Sequence, residues 1–347
     1  MSLAQPLKIV LLVAGLVLLF AVPSMGLGGY VLALGVSFAS MAILAGGLNL
    51  VYGYAGLMSY GQVGFFGIGA YTAGILVSGH GWGLVPATLL GALLAVLVAL
   101  VLGYSSLRLS RHAFSIVSLS FSLLCVIIAR DWVDVTRGPM GIPGLAAPPI
   151  QLGSLSFSLN SNEKFYYVMM ALAVLSNGFI YVLVTSRIGR AMRTVKLNEP
   201  LAQSQGISPL GLKLLALGVS ALLAALAGGV FVFYLSIVDP SIFDFYYTEA
   251  MLIMVIIGGA GSFWCVLLSV AVFSVLPDLL RFSPDLRLIL YGIILIAAML
   301  VMPGGLGGWL RQRKVDSWRQ ASRQRAFEAR DAGAAVSGAE SKTGAAT

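Results

Sequence analysis

Chemistry needs side chains that can exchange protons, attack carbon or hold a metal, and in this sequence they are few and scattered. His80 and His112 stand beside expected loops, with no ligand-like spacing to another donor, so no metal site is read. Cys125 and Cys265 lie inside apolar runs, where cysteine behaves as a small core hydrophobe. No Gly-Lys pair occurs anywhere, which excludes a phosphate loop of the G-x-x-x-x-G-K-[ST] kind. "IIGGAGSFW" at 256–264 has the glycines of such a loop without its lysine and sits between two apolar runs. It reads as a helix break or a point of close packing. No Ser/His/Asp set or carboxylate pair is spaced for catalysis. The chain is therefore read as no enzyme, and any uphill work must come from a partner.

Composition sets the frame for the few polar groups that remain. The 347 residues are 59% hydrophobic and 10% charged, against roughly a quarter charged in soluble domains, and the mean hydropathy is +0.96. Apolar runs recur along nearly the whole chain, which excludes a soluble fold and a single anchor. An all-α multi-pass membrane protein is expected. Runs long enough to span predict about ten helices, some broken or short, near 8–24, 29–52, 62–78, 84–105, 113–129, 165–185, 213–236, 248–260, 262–280 and 286–302. The first, with a single Lys before its apolar run, is read as a retained span rather than a signal peptide.

The net charge of +8 is confined to Arg108–Arg111, Arg187–Lys196 and a tail from Arg311 to Arg330. With the N-terminus inside, all three clusters fall on the cytoplasmic side, as do the short segments 53–61 and 261, and the C-terminus. Asp131, Asp134, Glu163, Asp239 and Asp244 fall outside. This placement excludes nucleic acid as the partner of the charge, for no nucleic-acid motif accompanies it. Residues 130–164 read as an ordered outer loop or short hairpin, and "VDPSIFDF", with Asp239 and Asp244, as an outward loop. Residues 1–310 form the membrane domain, and 311–347 a basic, disordered tail at the inner leaflet. Lys213, Asp278 and Arg281 lie near span ends, and no span carries a charge at its centre, so a proton relay lacks parts.

Two segments remain whose residue types ask for a role. "LNLVYGYAGLMSYGQVGFFGIGAYTAGIL" at 48–76 holds seven glycines within an apolar span. Each costs about 1 kcal/mol against Ala in a helix, so "GYAGLMSYG" is expected to break the helix. A break at membrane depth survives only where protein or a water-filled cavity satisfies the freed backbone. Residues 49–62 are thus candidates to border a translocation path, with Asn49, Tyr52, Tyr54, Ser59, Tyr60 and Gln62 as its polar contacts; the other reading is polar bonding to neighbouring helices. Gly61, Gly64, Gly67, Ala70 and Gly74 recur every three or four residues and form a smooth stripe for helix packing. "AILAGG" at 42–47 echoes "AALAGG" at 224–229, too small a match to establish a repeat.

The second segment is the inner loop at 186–213. After four basic residues, Asn198 is a good N-cap, Glu199 and Pro200 suit a first helical turn, and Gly206 can close the end in a left-handed conformation. Pro209 is expected to discourage further helix. The result is about two turns, too short to stand alone. It reads either as a helix that docks into a partner's groove or as a plain amphipathic connector.

"GRAMRTVKLNEPLAQSQGIS", "LLAALAGGVFVFYLSIVDPSIFDF", "IGGAGSFWC" and the 48–76 stretch together resemble the permease subunits of branched-chain amino acid ABC importers. Their order and spacing are similar to the M-type subunit from about residue 30 to 303. The resemblance implies a Glu-Ala-Ala…Gly docking motif, with Gly206 as the Gly and Ala202 as the second Ala. Leu201 and Pro200 take the places of Ala and Glu, and Glu199 comes one residue early. It makes Asn198, Glu199, Pro200, Leu201, Ala202, Gln203, Gly206 and Ile207 an ATPase-coupling helix. It further implies a bacterial inner-membrane assembly of this chain, a second homologous permease, two cytoplasmic ATPases carrying ATP and Mg, and a periplasmic or lipid-tethered binding protein. The cargo would be Leu, Ile, Val or related amino acids. Urea and short-amide importers have similar permeases and supply the first rival. A sodium-coupled carrier, or a membrane scaffold using the basic tail, are rivals that need no helix at 198–206.

Overall fold

A computed structural model describes residues 20–25, 28–108, 111–152, 155–159 and 161–279, with a few positions between 292 and 312. Most of the expected first span and of the last, and nearly all of the tail, lie outside them. Among the described residues seven helices are long and apolar enough to cross a membrane. They comprise α1 (Gly28–Leu48, continued by a π-helical end at Asn49–Tyr54), α2 (Gln62–His80), α3 (Leu84–Ser106), α4 (Arg111–Asp131), α6 (Asn162–Thr185), α9 (Pro209–Leu235) and α10 (Phe245–Gly258, entered through a 3-10 turn at Pro240–Phe243). The remaining helices are shorter: α5 (Val133–Thr136), α7 (Arg187–Leu197), α8 (Glu199–Ser204) and the apolar α11 (Phe263–Leu279). The chain is an all-α multi-pass membrane protein.

Small residues decide how these helices meet. Lipid tails are as apolar as leucine, so association in a membrane depends on close packing of small side chains. Helix α3 shows the pattern: Ala87, Thr88, Gly91, Ala92, Ala95, Ala99 and Gly103 are buried, whereas Leu89, Leu93, Leu97 and Val101 are exposed. Helix α9 sits at the centre and packs against α1, α2, α3 and α6. The tightest backbone approaches in the bundle put Gly69 of α2 on the Ala225 backbone and Gly228 of α9 on the Phe66 carbonyl.

The two ends of the bundle are built differently. At one end lie the π-helical turn, α7, α8 and the α10–α11 hairpin, joined by Lys196 to Gly53 and by Gly261 to Asn49. At the other, strand β1 (Ile142–Pro143) pairs antiparallel with β4 (Ile237–Val238), and the Leu145 N–H donates to the Ser236 carbonyl at 3.0 Å. A hairpin of β2 (Ile150–Leu152) and β3 (Leu155–Phe157) completes the 130–164 segment. That segment also carries α5 and a 3-10 turn at Gly138–Met140.

Candidate translocation path and coupling helix

The first span does not end as an α-helix. It widens to a π-helix over Asn49–Tyr54, a form found mostly as short bulges at functional sites. Residues 55–61 then run without helix before α2 starts at Gln62. This segment does not stay at the bundle end, where the sequence placed it. The Met58 carbonyl accepts from Ser115 Oγ, and the Tyr60 carbonyl from Ser122 Oγ, both at 2.9 Å. At 1.5 Å per residue those serines sit about 6 and about 16 Å along α4 from its first residue. Gln62 donates to Ser220 Oγ, which is also about 16 Å from the start of α9. Non-helical backbone therefore climbs well into the bundle before α2 begins.

A serine ladder makes that climb tolerable. Besides Ser115 and Ser122, Ser118 Oγ accepts from the Tyr60 N–H at 3.0 Å while donating to the Ser115 carbonyl. Three hydroxyls at helical spacing on one face of α4 thus satisfy peptide groups of the broken segment. Sequence reasoning missed them, although "SIVSLSFS" at 115–122 carries serines at i, i+3 and i+7.

The sequence-derived polar residues of the path are only partly grouped. Asn49, Tyr54, Ser59 and Gln62 are each 1% exposed, and their bonds run to this chain's own backbone and helices. Asn49 Oδ1 accepts the Gly261 N–H at 2.9 Å, and Ser59 Oγ accepts the Gly61 N–H at 3.3 Å. Tyr54 lies under the Arg193 guanidinium, 4.8 Å from ring centroid to Cζ. Tyr52 and Tyr60 are half-buried, with the Tyr60 hydroxyl 3.7 Å from the Met58 sulfur. Gln62 Oε1 has no hydrogen-bond partner among the described residues.

On the stripe, Gly61 and Gly64 face the Phe121 ring, Gly67 faces Phe243, Gly74 faces Val238 and Leu145, and Ala70 is buried. Aromatic rings and loop side chains fill most of the smooth face. The backbone-to-backbone contact falls one step off it, at Gly69.

Toward the β1–β4 end, α4 and the loop after α9 enclose a cleft of about 580 Å³. Leu119, Leu123 and Val126 form one wall, and Arg130, Asp239 and Asp244 stand around it. The two acids also cap helices: Asp239 accepts the Ser241 N–H at 2.9 Å, and Asp244 accepts the Tyr246 N–H at 3.2 Å. Ser122 lines the cleft and bonds Tyr60 as well. The broken segment therefore lies directly behind the cleft wall.

At the opposite end, α8 is set between strong caps. Asn198 Oδ1 accepts the Leu201 N–H at 3.1 Å, Pro200 occupies the first turn, and Gly206 has φ +76. Pro209 does not merely stop a helix. It opens α9 under a Ser208 cap, because a first-turn residue needs no intrahelical N–H bond. Ala202 is fully buried, while Leu201 and Gln203 are exposed and Ile207 is half-buried. Glu199 turns inward, where both carboxylate oxygens accept from Lys213 Nζ, at 2.7 and 2.8 Å. Lys213 is 6% exposed, so α8 is pinned near the start of the central span. The basic stretch before it, taken from sequence as loop, forms α7, with Gly189, Met192 and Val195 buried and Leu197 85% exposed.

The pattern of the family described as "branched-chain amino acid transport system / permease component" matches residues 30–299, which contain both the broken span and the capped helix. The chain belongs to this family. It is 31% identical over 285 residues to the high-affinity branched-chain amino acid transport system permease protein LivM of Salmonella typhimurium, covering 76% of this chain and 67% of that protein. LivM of Escherichia coli K12 gives the same identity and coverage. The LivH permease of Escherichia coli K12 is 24% identical over 295 residues, covering 80% of this chain and 94% of that protein. No solved structure matches the chain. The described part of this permease component thus includes nearly all of the matched region up to residue 279.

Proposed function

We propose that this chain is one permease half of an ATP-driven importer of branched-chain amino acids in the bacterial inner membrane. Its partners are a second homologous permease, two cytoplasmic ATPases that carry ATP and Mg, and an external binding protein; both termini of this chain lie in the cytoplasm. The chain itself catalyses nothing. The observation that carries the reading is α8: a capped two-turn helix, ion-paired to the central span and presenting Leu201 outward, at the same end as the broken first span. A connector would not need to be pinned so firmly. Leu197 and Leu201, on either side of the Asn198 cap and 85% and 55% exposed, offer an ATPase groove apolar contacts. The cargo path follows the α4 side of the 55–61 segment and opens outward at the Arg130–Asp239–Asp244 cleft. The neutral character of 49–62 suits a zwitterion that must pass without being held.

Labelled leucine uptake in cells with and without the gene tests this reading. Loss of uptake that isoleucine and valine compete for is expected, together with copurification of an ATPase that is lost when 199–206 is scrambled. Loss of urea uptake alone would assign a different cargo. Unaltered uptake after scrambling would remove the importer reading.

A further inference from the structure

The π-helical end of α1 is held from two sides by elements far apart in the chain. On one side the Gly261 N–H donates to Asn49 Oδ1 at 2.9 Å, tying the turn to the α10–α11 hairpin. On the other stands α7. Lys196 Nζ donates to the Gly53 carbonyl at 2.7 Å. The aliphatic stem of Lys196 passes over Gly56, where an added Cβ would lie 2.9 Å from Lys196 Cγ and where φ is +77. One turn earlier, the Arg193 guanidinium covers the Tyr54 ring. Carbonyls at the end of a helix need a donor from outside it, and for Gly53 that donor comes from α7.

Helix α7 leads directly into α8, with only Asn198 between them. Met192, one turn before Lys196, and Val195 beside it are buried. Arg193 and Lys196 therefore stand on the helix continuous with the coupling helix, while the hairpin bonds Asn49. The turn lies between one flank continuous with α8 and another formed by the α10–α11 hairpin. Directly after it comes the 55–61 segment, whose backbone leans on the α4 serines at the cleft.

We infer that Lys196 and Arg193 are positioning residues that transmit movement of the coupling helix to the broken segment beside the path, through the Gly53 carbonyl and the Tyr54 ring. This inference rests on the importer reading above. It assigns to α7, rather than to α8 and α9 alone, the link between ATPase and path.

The test uses the complete assembly, with partner permease, ATPases and binding protein, reconstituted in liposomes. ATP hydrolysis and leucine uptake are measured in the same vesicles for the wild type, Lys196→Met and Lys196→Arg. Lys196→Met keeps the stem over Gly56 and loses the donor. The expected result is preserved ATP hydrolysis with leucine uptake per ATP lowered by about fivefold or more, the lower end of a coupling between two sites, and rescue by Lys196→Arg. A second readout is labelling of Met58→Cys by a membrane-impermeant maleimide, in a chain with Cys125→Ala and Cys265→Ala. Its rate should change on addition of ATP in the otherwise wild-type chain and cease to change with Lys196→Met. If Lys196→Met does not assemble, Arg193→Gln, at an exposed position, is measured the same way. Unchanged uptake per ATP and unchanged labelling would overturn the inference and leave the importer standing. So would a parallel loss of hydrolysis and uptake, which marks a docking role. Wild-type vesicles that show no ATP-driven leucine uptake would overturn both.

Discussion

Individual residues carry more of this structure than their polarity suggests. Ser118 gives the Tyr60 N–H its acceptor, and removing it takes the protein partner from a part-buried donor, at a cost of up to roughly 1–3 kcal/mol. Ser118→Ala is therefore expected to lower the unfolding temperature of the purified chain by several degrees, while Ser120→Ala, outside the ladder, should not; thermal unfolding in detergent distinguishes them. Gly69 is stricter still. A side chain there meets the Ala225 backbone, which cannot give way as a rotamer can. Gly69→Val should abolish a monodisperse folded species on size exclusion, whereas Gly178→Ala, with nothing within 4 Å, should leave it unchanged. The glycine-rich stretch was legible in the sequence as a break because glycine and polar groups stand out in an apolar span. The serine ladder was not. Serines scattered in a membrane helix ordinarily bond their own preceding turn, and only the position of the 55–61 backbone shows which of them face a break.

At the level of elements, local chemistry foretold what lies close in sequence. The caps of α8 could be read directly, since Asn198, Pro200 and Gly206 act on their immediate neighbours. The ion pair of Glu199 with Lys213 could not, because it depends on α9 starting at Pro209 and returning beneath α8. Helix α7 was hidden by its own charge. Arg187, Arg190, Arg193 and Lys196 suggest a solvated loop until Ile188, Met192 and Val195 are seen to fall on one face. Lys213→Met would leave the Glu199 carboxylate without its cation, a loss of roughly 1.5–3 kcal/mol for a hydrogen bond to a charged group. Released from α9, α8 is expected to lose, on copurification, the ATPase proposed to dock on it, and Glu199→Gln combined with Lys213→Gln should restore part of the yield. Full recovery by Lys213→Met alone would show that the pair does not hold the helix in place.

For the molecule as a whole, span order and charge asymmetry predict a sidedness that labelling tests. Gln203 and Ser241 are both exposed and lie at opposite ends of the bundle. In intact cells a membrane-impermeant maleimide should label Ser241→Cys and should reach Gln203→Cys only after permeabilisation; the reverse pattern would invert the topology. The order of the described spans was legible because most of their apolar runs are long. Depth was not, because an apolar run does not say where within the membrane a helix starts. The π-helical turn adds one further property, a matter of phase rather than of contact. An i→i+5 turn holds an extra residue, so the end of the first span and the chain that leaves it are rotated relative to where a continuous α-helix would place them. Before the turn, Gly46 and Gly47 face Asn177 and Ser220; near its end, Gly53 faces Gly261. Removing one residue between 49 and 54 would leave composition and helicity nearly unchanged, yet it would turn one portion by about 100° against the other. The span would keep its length for the membrane and lose its fit to one set of neighbours, so that a deletion there acts as a twist.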